Sequence, residues 1–231
     1  MLKIVCWKWN AGIHKKKRML FTHEHVNRLR NMVARHLHIE HEFICITDDP
    51  AGIDPSIRII PLWHDHRDMG GCYVRLKAFS KEMAELIGPR FCWLDLDTVI
   101  VDDITPLLAR PEPFVMWGDT APGTPYNGSM VLMTAGTKAQ VWENFKGEAS
   151  RNAGRRLRYV GTDQAWIGAT LGPHEPKWSI NDGVYSFRVH MVEKKQKSLP
   201  PNARIIFFHG SADPSQAEVQ TAYPWVKNNW L

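Results

Sequence analysis

Two aspartates spaced i, i+2 carry the strongest chemical signal in this chain. Asp95 and Asp97 lie within Phe91-Cys92-Trp93-Leu94-Asp95-Leu96-Asp97-Thr98-Val99-Ile100-Val101, between two apolar runs. Such runs predict buried strands, and in extended chain residues i and i+2 project to one side. Both carboxylates therefore point together from the end of an interior strand. Close to a core they repel each other and lose hydration. A divalent cation relieves both costs, and hard carboxylate oxygens suit Mg²⁺ or Mn²⁺. The same spacing is common in solvated loops, so the pair alone leaves the choice open.

Other polar groups fall at strand ends or helix starts: Asn10, Asn127, Asp163 with Gln164, and His209. An α/β sheet builds its sites at such places. Two aspartates and a histidine offer three donors to an octahedral cation and leave positions for diphosphate oxygens. The imidazole tilts the choice from Mg²⁺ toward Mn²⁺. His64 and His66 share the two-residue spacing, but in the polar, glycine-containing loop 63–71 they read as solvated side chains. His23, His25, His36, His38 and His41 read as helix-face and turn residues.

The elements that must position these groups follow from periodicity and turn chemistry. Residues 3–9 form a first strand ending at Asn10-Ala11-Gly12, a ligand-facing loop at a sheet edge. Thr22 caps a helix through Val26, Leu29, Val33 and Leu37. Strands follow at 42–47 and 57–62. Leu76, Phe79, Met83 and Leu86 predict one amphipathic helix ended by Gly88-Pro89. Arg75 and Lys77 fall in its first turns, where an anionic ligand or a surface ion pair would explain them. Strands are expected at 114–117 and 129–133, then a helix at Val141, Trp142 and Phe145, and a basic loop at 151–158. A helix starts at Thr162 or Asp163, a hairpin turns at Asn181-Asp182-Gly183, and a last strand covers 204–208. Strands and helices alternate early and the later half is irregular, which predicts an α/β fold with a mixed sheet.

The chain has 231 residues, 44% of them hydrophobic, enough for one domain over 1–231 with 211–231 as a C-terminal tail. No apolar run approaches the roughly 18 residues of a membrane span. The apolar run at residues 1–8 is too short for a signal peptide. Cys6, Cys45, Cys72 and Cys92 lie far apart and mostly inside apolar runs. They read as buried free thiols of a reducing compartment, with no zinc spacing. A cytoplasmic protein is expected, with room for peripheral contact at a membrane. The net charge is +5, and basic residues cluster at 14–18, 151–158 and 194–197. Such runs form solvated faces and together suggest an anionic partner: a nucleotide, a phospholipid surface or nucleic acid.

Leu94-Asp95-Leu96-Asp97-Thr98, Tyr126-Asn127-Gly128-Ser129-Met130, Gly161-Thr162-Asp163-Gln164 and Phe208-His209-Gly210 occur in this order. That order resembles the GT-A-fold glycosyltransferases, most closely the retaining, family 8-like nucleotide-sugar transferases, over about residues 3–210. The resemblance implies a single GT-A-like domain with a mostly parallel central sheet and a nucleotide-sugar donor, a UDP-sugar, as substrate. Asp97 and His209 would ligate Mn²⁺ or Mg²⁺, with Asp95 on the metal or the ribose. Trp7, Trp9 and Asn10 would belong to the base-binding edge, and Arg75 would hold the donor. Asn127 would stand beside donor sugar and acceptor, with Asp163 and Gln164 below the anomeric carbon. The bound cation would neutralise the departing diphosphate, and a carboxylate or amide oxygen would stabilise an oxocarbenium-like carbon. The acceptor is unassigned: a glycan, a lipid-linked sugar or a nucleic acid. One departure stands out. Relatives carry a lysine shortly after the histidine-glycine pair to grip the diphosphate, whereas here Ser211-Ala212-Asp213-Pro214 follows.

Two other readings use the same residues. Asp95-x-Asp97-x-Thr98 also looks like the first motif of haloacid dehalogenase-type phosphatases, with Asp95 as nucleophile. That motif belongs on an early strand, and His209, Asp163 and Gln164 would then have no task. A non-catalytic nucleic-acid or membrane-binding protein would explain the basic runs and leave the acidic pair unexplained.

Overall fold

A computed structural model describes residues 1–9, 21–118, 120–121 and 123–231. Seven strands form the main sheet: β1 (Leu2–Lys8), β2 (His41–Thr47), β3 (Arg58–Pro61), β4 (Arg90–Leu94), β6 (Phe114–Gly118), β7 (Tyr126–Thr134) and β8 (Lys177–Trp178). Their order is β3-β2-β1-β4-β7-β6-β8. Pairing is parallel from β3 to β4, antiparallel on both sides of β7, and parallel again between β6 and β8. The sheet is therefore mixed and mainly parallel, as expected. A second, small sheet has the order β5-β10-β9, from β5 (Thr98–Ile100), β10 (Ile205–Phe207) and β9 (Val184–Ser186).

Alternation along β1 divides the core into two layers. Ile4 and Cys6 face the side covered by helix α1 (His23–His36) and the small sheet. Val5 and Trp7 face the other side, packed with Phe79, Trp93 and Ile167. Both faces of β1 are apolar because both are covered, as a parallel interior strand requires.

Helix α1 begins at Thr22 as expected and ends against Leu37; it has a capping box in which His25 replaces the usual Glu or Gln. The long helix expected from Leu76 to Leu86 is instead a 3₁₀ segment, Tyr73–Phe79, followed by the single turn of α2 (Met83–Leu86). Ser80 is extended (φ −68°, ψ 155°) and interrupts the helix between them. The one-turn helices α3 (Thr105–Leu108) and α4 (Gln140–Glu143) follow, the latter ending before Phe145.

The basic stretch expected as a loop is helical: α5 spans Glu148–Arg156. Its buried residues are Ser150 and Gly154, and residues that small leave no apolar period to detect. A Cβ on Gly154 would stand 3.2 Å from Ala165 Cβ, so α5 packs closely on α6 (Asp163–Leu171). The hairpin expected at Asn181-Asp182-Gly183 is also absent. A 3₁₀ turn, Ile180–Asp182, capped by Ser179 and closed by Gly183 at φ 84°, carries the chain from one sheet to the other. β8 pairs with β6, while β9 pairs with β10. After β10, helices α7 (Ala217–Ala222) and α8 (Pro224–Asn229) return to the core, where Tyr223 and Trp225 pack on Phe187.

Candidate active site

The carboxyl end of β4 delivers Asp95. Its N–H donates to the Ser129 carbonyl at 2.9 Å, and its own carbonyl accepts from Thr98 Oγ1 at 2.5 Å. Those bonds fix the turn between β4 and β5. Two residues on, the Asp97 carbonyl accepts from the Phe208 N–H at 2.8 Å, which brings the segment bearing His209 beside the aspartate pair. Two motifs nearly half the chain apart thus meet at one backbone contact.

Arg75 organises the next layer. It is 5% exposed, and its guanidinium bridges two carboxylates. Nη1 binds Asp95 Oδ1, while Nη2 and Nε reach Asp163 Oδ2 at 2.6 and 3.0 Å. The Trp93 ring lies 5.7 Å from its Cζ. Burial opposes the Arg75 charge, yet Asp163 and Asp95 outweigh that penalty and hold its pKa well above the ordinary value. Asp163, at the first position of α6, is buried, and desolvation raises its carboxyl in spite of Arg75. Of the two explanations open for Arg75 in the sequence, the structure shows an ion pair, buried rather than on the surface. Lys77 has the surface version, with Asp65 at 2.8 Å.

β7 closes this layer. Asn127 is buried, and its Oδ1 accepts from the Ser129 N–H at 3.0 Å. Gly128 donates its N–H to Gln164 Oε1 at 3.1 Å, and its carbonyl accepts from Trp93 Nε1 at 2.8 Å. A Cβ on Gly128 would come within 2.9 Å of Arg75 Nη2 and 3.2 Å of Asp163 Oδ2. Only glycine lets β7 approach the ion cluster this closely. Gln164 is half-buried, whereas Asp163 is enclosed.

The structure thus brings Asp95, Arg75, Asp163, Gln164 and Gly128 into one connected network, with Asp97 and His209 at its margin. Burial, followed by the charges of Asp95 and Asp213, pushes the Asp97 carboxyl well above the usual range. Asp97 has no ion-pair partner among the described residues. His209 has a lowered pKa, chiefly from burial and then from Arg188, which favours the neutral imidazole. Its Nε2 lies 2.7 Å from Ser186 Oγ. Among the described residues, no three His, Cys, Asp or Glu side chains converge as a metal centre would.

At the edge expected to meet the base the placements diverge. Trp7 is 3% exposed and its ring packs edge-on against Trp93 at 5.3 Å, so its indole belongs to the core. Trp9 is half-buried and lines a cleft of about 260 Å³ with Lys8, Phe21, Thr22, His23, Asp48 and Asp49. Lys8 Nζ binds Asp49 Oδ2 at 2.8 Å in the lining of that cleft. The sequence offers no signal for Lys8 beyond its place at the end of a strand. Asn10 and the 14–18 basic run lie outside the described residues. His66 packs edge-on to Phe145 at 4.6 Å and Trp142 at 5.5 Å, as an aromatic contact. His25, expected as a polar helix-face residue, is buried against Asp213 at 3.3 Å. Asp213, which follows the histidine-glycine pair in place of a lysine, is thus the buried partner of His25 in the first turn of α1.

No protein-family profile matches the sequence, and no curated protein matches it. Solved structures do match, along nearly the whole chain. The galactosyltransferase LgtC, crystallised with donor and acceptor sugar analogues, is 13% identical with a TM-score of 0.56, over 98% of this chain and 96% of its own. The glycosyltransferase GlyE of Streptococcus pneumoniae TIGR4 is 11% identical with a TM-score of 0.62, over 100% of this chain and 62% of its own. The bifunctional glycosyltransferase WbbM, in its apo form, is 12% identical with a TM-score of 0.58, over 99% of this chain and 50% of its own. At these identities the likeness is one of fold. The chain has the mixed α/β fold of these three glycosyltransferases.

Proposed function

We propose that the protein is a metal-dependent glycosyltransferase that moves a sugar from a UDP-sugar to a sugar-bearing acceptor with retention. The observation that carries this reading is Asp97: a carboxylate left without an ion-pair partner among the described residues, just past the carboxyl end of β4 and beside the segment bearing His209. Its carboxyl is pushed up by burial and by Asp95, the tension that a divalent cation relieves. The donor set fits such an ion in chemistry: two carboxylates and an imidazole kept neutral by its surroundings. Because these side chains do not converge as a metal centre here, Asp97, His209 and Asp95 would have to draw together to hold the metal, which would neutralise the charge developing on the departing diphosphate.

The chain's own residues have separable tasks. Arg75 holds Asp95 at the carboxyl end of β4 and is itself held by Asp163, so Asp163 acts as a positioning residue through Arg75. Gln164 has its amide oxygen oriented by Gly128 and is the more exposed of the pair, which suits it to meet a positive anomeric carbon. LgtC has also been solved as an active-site mutant in which a glutamine is replaced by glutamate, so an active-site glutamine has a precedent in a similar fold. Trp9 and Lys8 at the cleft would meet the nucleoside end of the donor, with Asn127 beside its sugar. The phosphatase reading needs Asp95 as a nucleophile; its engagement by buried Arg75 suits a holding task better.

Thermal shift with UDP and Mn²⁺, each alone and together, tests the proposal. The expected result is stabilisation requiring both, reduced in Asp97→Ala and His209→Ala proteins that keep their fold. Incubation with UDP-sugars should then release UDP in the presence of a glycan acceptor. If no nucleotide gives metal-dependent stabilisation, the reading fails.

A further inference from the structure

The C-terminal end of α5 and the turn that follows it form a surface the proposed transfer reaction does not use. Arg155, Arg156 and Arg158 are on this surface, and so are two exposed apolar side chains, Leu157 at 51% and Val160 at 48%. Arg155 has a loose pairing with Glu148 at 3.6 Å. Arg156 and Arg158 have no ion pair among the described residues. Arg158 adopts a left-handed backbone (φ 59°), and the Tyr159 N–H returns to the Gly154 carbonyl at 3.2 Å. That closure ends the helix.

Basic residues at a helix C-terminus are stabilised by the helix dipole, which by itself would account for arginines in the last turn. It does not account for Leu157 and Val160 exposed among them. Cations interleaved with exposed aliphatic groups match an anionic bilayer, where the charges meet headgroups and the aliphatic groups enter the interface. A nucleic-acid surface would instead offer aromatic rings for stacking. Tyr159, the aromatic of this stretch, is half-buried, and its ring lies within 3.3 Å of where a Cβ on Gly168 would stand.

We infer that this arginine-rich turn docks the protein on membranes containing anionic lipid. The surface is tied firmly to the candidate active site. Gly154 packs on Ala165 of α6, and the Val160 N–H donates to Thr124 Oγ1 at 2.9 Å. The Val160 carbonyl accepts from Gln164 Nε2 at 3.2 Å. A bilayer bound here therefore lies beside the helix that begins with Asp163.

Flotation of the full chain with phosphatidylcholine vesicles, with and without phosphatidylglycerol, tests the inference without donor, metal or turnover. Binding is expected only with phosphatidylglycerol and should weaken as salt rises. Replacing Arg155, Arg156 and Arg158 together with glutamine should lower partitioning roughly a hundredfold, from about fivefold per basic residue. Leu157→Ser with Val160→Ser should lower it as well while leaving circular dichroism unchanged. Absence of phosphatidylglycerol-dependent binding overturns the inference. So does binding that survives both sets of substitutions, because another surface is then responsible. Tighter binding to a single-stranded oligonucleotide, with loss in the arginine variant and none in the Leu157/Val160 variant, overturns it in favour of nucleic acid. Failure of vesicle binding leaves the UDP and Mn²⁺ thermal shift unaffected, so the two proposals fail separately.

Discussion

Arg75 is the residue on which the candidate site turns, because one buried cation serves two carboxylates from different parts of the chain. Removing one partner of such a cluster costs more than the cluster contributes, since the remaining charges lose their compensation. Arg75→Met should therefore lower stability by about 3–5 kcal/mol in chemical denaturation at neutral pH. The pH dependence follows from sign. Burial already raises the Asp163 carboxyl, and Arg75 is the charge that lowers it. Without Arg75 the folded protein takes up a proton at Asp163 more readily than the unfolded chain does. Stability of the variant should then rise as pH falls from neutral toward the unfolded carboxylate pKa, and the gap to wild type should narrow. A gap that stays constant over that range would mean the guanidinium acts through packing alone. Cys72 lies in the same field, and burial pushes its thiol up to about 11. Iodoacetamide near neutral pH should label it slowly in the folded protein and fast once unfolded, as read by mass spectrometry.

Helices and strands differ in how openly the sequence declares them. β1, β2 and β4 are legible because both faces are covered, and continuous apolar runs such as Phe91 to Leu94 have no competing explanation. Helix α1 is legible from Thr22 onward because aliphatic positions keep the helical period over its length. The rest is hidden for physical reasons. The segment from Tyr73 to Leu86 has helical spacing, but Ser80 turns extended and divides it, a tertiary demand that spacing does not record. Helix α5 escapes detection because it packs through Ser150 and Gly154, whose burial needs closeness rather than bulk. The candidate site is legible as residue types at strand ends, while the pairing of Arg75 with both aspartates is not, since no local pattern encodes contacts across 20 and 88 positions. The α5–α6 contact yields its own prediction. A Cβ at position 154 would lie 3.3 Å from the Ala165 carbonyl oxygen, so a larger side chain there presses on backbone as well as on the Ala165 methyl. Gly154→Val should cost about 1–3 kcal/mol by overpacking, seen as a lower midpoint in urea at unchanged slope.

At the scale of the whole molecule, the last helices support the site from behind. Phe187 and Phe208 stack at 4.1 Å, and Tyr223 and Trp225 pack against this pair. Trp225 is 9% exposed and donates from Nε1 to the Lys197 carbonyl at 3.1 Å. Phe208 is the residue whose N–H holds the Asp97 carbonyl, and it immediately precedes His209. The aromatic packing of the chain's end is therefore continuous with the backbone contact that joins the two halves of the candidate metal set. Truncating a buried aromatic of this size costs about 3–5 kcal/mol, so Trp225→Ala should lower the melting temperature clearly. A second effect is specific to this arrangement. With Phe208 loosened, His209 and Asp97 lose their fixed separation, and the extra stabilisation by UDP with Mn²⁺ should shrink beyond the general drop. Tyr223→Leu, which keeps apolar bulk against Phe187, should lose less of that ligand-dependent shift than Trp225→Ala. If both variants keep the full shift from their lower starting points, the tail stabilises the fold without ordering the site.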